Sequence, residues 1–427
     1  MTIYRCRVLD TPDDPFAGGT LRADDDAGLL VQGGVIAERG AFADVAARHP
    51  GESVTDLRAG VLLPGLIDTH VHYPQVRAIG GLGMPLLDWL DQCALPEEQR
   101  LAEPEYARAV AREFLTGLTS AGTTTALVFG SHYPDAVDAL FTEADRVGTR
   151  VTAGLVVSDH NLPEPLLSTP ERSYREGRAL AERWHGHGRL RYAVTPRFSY
   201  STTSDMLASC ADLLSDVPGL WFTSHVNENP AEIAAVADLF PGAANYTDTY
   251  AKHGLIHRRS VLAHNAHPRD EELHLLGEVG ASIAHCPTSN SALASGSFPL
   301  RRHLDHGVRV ALGTDVGAGS GFSLFKEGLQ AYFMQQLLKE DGVPLTPAHL
   351  LHLATRAGAT ALGLDDVGDL SAGRRFDAIL VQPSAAQPLD VCLRHAASAE
   401  NALAKIFSIG TPADVARVWI DGDIVVA

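Results

Sequence analysis

Two histidines spaced two apart, His70 and His72, close an apolar run that begins at Leu62. On a β-strand, residues two apart share a face, so both imidazoles can reach one metal ion. Such a pair says little alone, because polar residues commonly end strands. Three more segments repeat the pattern: 220–225, 260–264 and 308–315 are short apolar runs ended by His225, His264 and Asp315. His70, His72, His225 and Asp315 together offer three ring nitrogens and a carboxylate, a donor set that suits Zn²⁺, or Fe²⁺, better than Mg²⁺ or Ca²⁺. His264 ends a strand between two of the ligand strands, close enough to touch the metal's water or the substrate. A bound metal lowers the pKa of its water from roughly 15.7 toward about 7. Glu228, three residues past His225, is placed at the mouth to carry the protons. Without that neighbour it would read as a solvated loop charge.

These residues need a scaffold that brings several strand ends together. From residue 66 onward, short apolar runs alternate with longer amphipathic stretches, the pattern of βα units around a parallel sheet. Candidate strands fall at 66–72, 123–129, 151–157, 191–197, 220–225, 260–264, 281–286 and 308–315, which makes eight. The expected fold is an α/β (β/α)₈ barrel of the TIM type, with the active site at the C-terminal ends of the strands. The barrel and its final helices are assigned to 66–374. The flanks, 1–65 and 375–427, read as strands broken by Gly-containing turns and are expected to pair into one small β-sandwich domain made by both chain ends.

The 427 residues suit a large barrel plus an accessory unit, and 45% of them are hydrophobic, as in an ordinary globular protein. A formal net charge of -18 argues against nucleic acid and against an anionic membrane surface as partners. A neutral or cationic small molecule fits better. Cys6, Cys93, Cys210, Cys286 and Cys392 are scattered and odd in number, without the spacing of a thiolate zinc site or a disulfide framework. With no apolar leader and no run of about 18 apolar residues, the expectation is a soluble, cytoplasmic protein.

The segments Pro64-Gly65-Leu66-Ile67-Asp68-Thr69-His70-Val71-His72, His225 with Glu228, Ala263-His264, His285-Cys286-Pro287 and Gly313-Thr314-Asp315 together resemble the amidohydrolase superfamily, in its mononuclear deaminase branch. Within that branch the chain is most similar to the guanine deaminases. The likeness lies in Tyr73-Pro74-Gln75, Met84 to Leu90, Val194 to Ser199, and Ser289 to Gly296, and the match covers nearly the whole chain. The resemblance implies His70, His72, His225 and Asp315 as metal ligands and Glu228 as proton shuttle. It implies His264 as a water or oxyanion partner and Gln75, Arg197 and Phe198 as contacts to guanine, and a homodimer is expected. Binuclear members of such barrels bridge their ions through a lysine on the fourth strand. Here Lys252, Lys326, Lys339 and Lys405 are the only lysines, and all lie beyond that strand, so one metal per chain is expected.

The alternatives are a related aminohydrolase of another heterocycle, such as 8-oxoguanine, a pterin or a triazine, and a metal-free scaffold protein of the same fold. The complete ligand set opposes the scaffold; Gln75 and Arg197 favour guanine over the other rings. Loop 316–322 departs from the family's usual segment. His185-Gly186-His187 copies the spacing of the metal pair, but no apolar strand precedes it, so it reads as a solvated loop. His132, His267, His285 and Cys286 lie near strand ends and receive no chemistry.

Overall fold

The computed structural model describes residues 1–426. Eight parallel strands form the barrel: β1 (Leu66–His72), β2 (Thr123–Phe129), β3 (Arg150–Gly154, continued by Val156–Val157), β4 (Arg191–Pro196), β5 (Trp221–Val226), β6 (Ser260–His264), β7 (Ser282–His285) and β8 (Arg309–Leu312). Each pairs with the next in sequence order. The circle closes without a continuous ladder. Just past β8, the Asp315 N–H donates to His70 O at 2.8 Å, and Thr69 Oγ1 donates to Leu312 O at 2.8 Å. This closure demands glycine at 313, where a Cβ would lie 2.9 Å from His70 Cβ.

The connecting helices follow from spacing. In helix Pro104–Ser120 the buried residues Ala107, Val110, Ala111, Phe114, Leu115 and Leu118 recur every three or four positions, so one face packs on the sheet. Proline at its first position and the Glu103 side chain accepting from the Glu105 N–H fix where it starts. Inside the barrel, Ile67, Leu127, Ala193, Trp221, Val261 and Ala284 make a dry layer with Ala359 and Leu362. The helix Arg356–Ala361 plugs that end, and Gly358 sits against Ile67. The barrel is therefore open only at the C-terminal ends of its strands.

Both chain ends build one seven-stranded sheet, in the order Asp423–Val426, Val415–Ile420, Ala378–Val381, Ser53–Pro64, Thr2–Asp10, Arg22–Gln32 and Val35–Ala41. It is a continuous sheet that folds over on itself, so that Tyr4 stacks on Phe376 at 4.8 Å and meets Trp419 edge-on at 5.7 Å. A bridge between Val35 and Arg375 joins its far edge to the approach to Ala378, around Val8, Leu62, Phe376, Leu380 and Trp419. The C-terminal flank departs from the all-strand expectation: Pro388–Arg394 and Ala399–Ile409 are helices. Leu403, Ile406 and Phe407 recur at helical spacing, and Phe407 packs edge-on to Phe325 of a barrel helix at 5.5 Å. Among the described residues no helix is long and apolar enough to cross a membrane, and all five cysteines are free.

Candidate active site

A bulge on β1 aims the histidine pair. Between Asp68 and Val71 the register against β2 slips by one residue, from Asp68 opposite Ala126 to Val71 opposite Val128. Ile67 points into the dry layer, and after the bulge His70 and His72 point into the mouth while Val71 faces the helices. Asp68 pins the bulge: its carboxylate accepts from the His70 N–H at 3.1 Å and the Thr314 N–H at 3.0 Å.

Four donors converge at that point. His72 Nε2 lies 3.2 Å from His70 Nε2 and 3.2 Å from His225 Nε2. Asp315 Oδ1 is 3.2 Å from the Nε2 atoms of both His70 and His72. Metal bonds of about 2.0–2.1 Å in a tetrahedron place neighbouring donors about 3.3 Å apart, so the spacing fits Zn²⁺ or a similar ion. Protonation fits as well. Burial pushes the His70 imidazole down to about 4 and holds His225 well below its ordinary value, so both rings are neutral at pH 7. Burial raises Asp315, but His70 and His72 outweigh it and keep the carboxylate ionised. His225 Nδ1 donates to Arg197 O at 2.6 Å, which directs its Nε2 lone pair inward. Inward lone pairs at this spacing repel one another unless a cation lies among them. No lysine stands on β4 to bridge a second ion.

Beside the donors stand His264 and Glu228. His264 Nε2 lies 3.8 Å from Asp315 Oδ2 and 3.4 Å from Glu228 Oε2, while its Nδ1 donates to Asn290 Oδ1 at 2.9 Å. Burial lowers the His264 pKa, but Glu228 and Asp315 raise it further than burial lowers it. Burial pushes the Glu228 carboxyl up to about 7. Glu228 is held by the helix that follows it: Asn229 caps Pro230–Leu239, and Glu232 reaches back to the N–H groups of Glu228 and Asn229. Asn227 (φ 48), His264 (φ 71) and Asp315 (φ 49) all adopt left-handed backbone, a cost accepted where strand ends turn side chains into the mouth.

Gln75, Arg197 and Phe198 line the same pocket as the donors, with Leu86, Trp89, Leu90, Leu293 and Ala318 as an apolar wall. Every residue singled out as ligand, proton carrier or substrate contact therefore meets in one buried place. A larger groove near Phe16 and His349 contains none of them.

Sequence reasoning missed Glu98. Its carboxylate accepts from Gln75 Nε2 at 2.8 Å and from Arg197 Nη1 at 2.8 and 2.7 Å. In sequence it looks like a helix-surface charge, and only its burial singles it out. His132 and His267 support the site from behind. His132 Nδ1 is 3.4 Å from Glu98, and His267 Nε2 donates to Ser295 O, whose hydroxyl donates to Glu228 at 3.1 Å. Cys286 lies in the dry layer; His285 stacks on Phe298 at 4.2 Å. His185 accepts from the Tyr192 N–H and stands away from the mouth.

Residues 61–425 match the amidohydrolase family. The chain is 59% identical to a probable guanine deaminase of Deinococcus radiodurans, covering 100% of this chain and 99% of that protein. It superposes on the Escherichia coli guanine deaminase structure with a TM-score of 0.95 at 36% identity, covering 99% of each chain. The guanine deaminase of C. acetobutylicum, solved with guanine in its active site, matches with a TM-score of 0.92 at 26% identity, again over 99% of each chain.

Proposed function

The chain belongs to the amidohydrolase family, and from that premise we propose that it hydrolyses guanine to xanthine and ammonia with one Zn²⁺ per chain, Fe²⁺ being the alternative in the same donor set. The observation that carries the reading is a single pocket whose lining brings His72, His225, Asp315 and Glu228 together with Gln75, Arg197 and Phe198. His70, His72, His225 and Asp315 would hold the metal. When bound, the ion makes water nucleophilic at neutral pH.

The protein's own groups do the rest. Arg197 donates to the ring carbonyl, Gln75 bonds a ring N–H edge, and Phe198 with Trp89 walls the base so that its amino-bearing carbon faces Glu228. Glu228 takes the proton from the attacking water and passes it to a ring nitrogen. It then takes the remaining proton of the added hydroxyl and gives it to the amine, so that the C–N bond breaks, the carbonyl of xanthine forms and ammonia leaves. His264 donates to the oxygen developing negative charge. In this reading the barrel at 66–374 carries the chemistry, the small domain is made from 1–65 and 375–427, and the protein works in the cytoplasm as a homodimer.

Ammonia release from a panel of guanine, adenine, 8-oxoguanine, a pterin and a triazine tests the substrate. Guanine is expected to be fastest. Adenine lacks the carbonyl and carries its amine at another carbon, so faster release from adenine or the triazine would overturn the assignment of Gln75 and Arg197. Elemental analysis should find one transition metal per chain, and two tightly bound ions would contradict the mononuclear reading.

Loop 316–322, which departs from the usual segment, has a definable part. Gly317 has φ +120, and a Cβ there would lie 2.3 Å from Gln75 Oε1. Gly317→Ala should therefore displace Gln75 and raise the KM for guanine about tenfold, roughly one hydrogen bond, with metal content unchanged. An unchanged KM would mean that Gln75 does not contact the base.

A further inference from the structure

Two residues that line the pocket hang from Glu98, which does not line it. Gln75 commits its amide N–H to Glu98 Oε1 at 2.8 Å, and turning the amide over would set its oxygen against a carboxylate. Gln75 Oε1, buried and without a protein partner among the described residues, is thereby fixed as an acceptor. Arg197 spends Nη1 on both carboxylate oxygens, while Nε and Nη2 have no protein partner among the described residues and remain as donors.

The same pair sets the charge. Arg197 and Glu98 are each 3% exposed at the side chain, so their charges cancel in a water-poor place. Burial raises the Glu98 carboxyl, but Arg197 and then His132 hold it well below the usual carboxylate range, so it stays ionised. His132 is lowered by burial against the pull of Glu98 and adds no positive charge at neutral pH. A bare buried guanidinium would attract anionic rings; this one is already neutralised.

We infer that Glu98 is a positioning residue that sets the charge preference of the pocket: by locking Gln75 as acceptor and neutralising Arg197, it selects neutral purine bases over their anions. The inference rests on the reading of the pocket as a purine site. It also accounts for product departure, because xanthine ionises more readily than guanine and its anion would be bound weakly.

The test uses the metal-loaded enzyme and xanthine, with binding followed by calorimetry on either side of the pH at which xanthine loses its first ring proton. Wild-type affinity should fall about tenfold or more as xanthine ionises, whereas Glu98→Gln should flatten or invert that trend. Comparing variant with wild type at each pH removes effects common to both. Glu98→Gln should also raise the KM for guanine by about ten- to a hundredfold while changing kcat less. A purely structural role would weaken all ligands alike and leave the charge preference unmoved.

If Glu98→Gln does not fold, Arg197→Gln asks the same question in reverse: the unopposed carboxylate should make the preference for neutral xanthine steeper. Wild-type charge preference in Glu98→Gln, or in Arg197→Gln where that variant is used, would overturn the inference. A wild-type enzyme that leaves guanine intact, but whose charge preference changes in Glu98→Gln, would overturn the reading of function and support this one. A wild-type protein that binds neither form of xanthine would overturn both.

Discussion

Glu228→Gln should keep its metal and lose on the order of 10²–10⁴-fold in kcat, the usual contribution of a positioned acid–base group. The amide preserves shape. It can still accept from Ser295, and the backbone at 228 stays tied to Glu232. What disappears is the exchangeable proton between attacking water, ring nitrogen and leaving amine. The wild-type pH profile gives a second readout. Burial pushes the Glu228 carboxyl up to about 7, and a bound dication would lower it, so the acid limb of kcat/KM should lie at or below pH 7. The sign follows from the role: the base acts deprotonated, so the rate falls as pH drops through that value. The residual rate of Glu228→Gln should lack this limb. Near-normal turnover in the variant would remove Glu228 from the mechanism.

The donor cluster of His70, His72, His225 and Asp315 was legible in the sequence because each of them follows an apolar run, and the barrel turns strand ends into neighbours. The two-residue spacing of His70 and His72 gave their shared face correctly. The bulge that turns this face inward, relative to Ile67, left no trace, since a register slip depends on the partner strand. The helices at 388–394 and 399–409 were hidden for a related reason: 399–409 packs on barrel helices at 324–337 and 347–354, 388–394 packs on 399–409, and the strands around them dominated the local reading. Glu98 was hidden most completely. A carboxylate at a helix end is normally solvated, and its importance arises only from Gln75 and Arg197, 23 and 99 residues away.

Removal of the Arg197 guanidinium should be costly twice over. Arg197→Ala takes the donor from the purine carbonyl, and hydrogen bonds to charged groups contribute roughly 1.5–3 kcal/mol, so guanine kcat/KM should fall about ten- to over a hundredfold. It also strands Glu98, whose 3%-exposed carboxylate loses its cation. Breaking a buried pair from one side typically costs about 3–5 kcal/mol of stability. The two losses separate in the double variant Arg197→Ala/Glu98→Ala. With no orphaned charge left, it should regain most of the lost stability in thermal or urea unfolding while its guanine efficiency stays low. Metal content should be unaffected in both, because His225 is oriented by the carbonyl of residue 197, which alanine retains. Recovery of guanine efficiency along with stability would mean that Arg197 matters for folding alone and that the purine carbonyl is bound elsewhere.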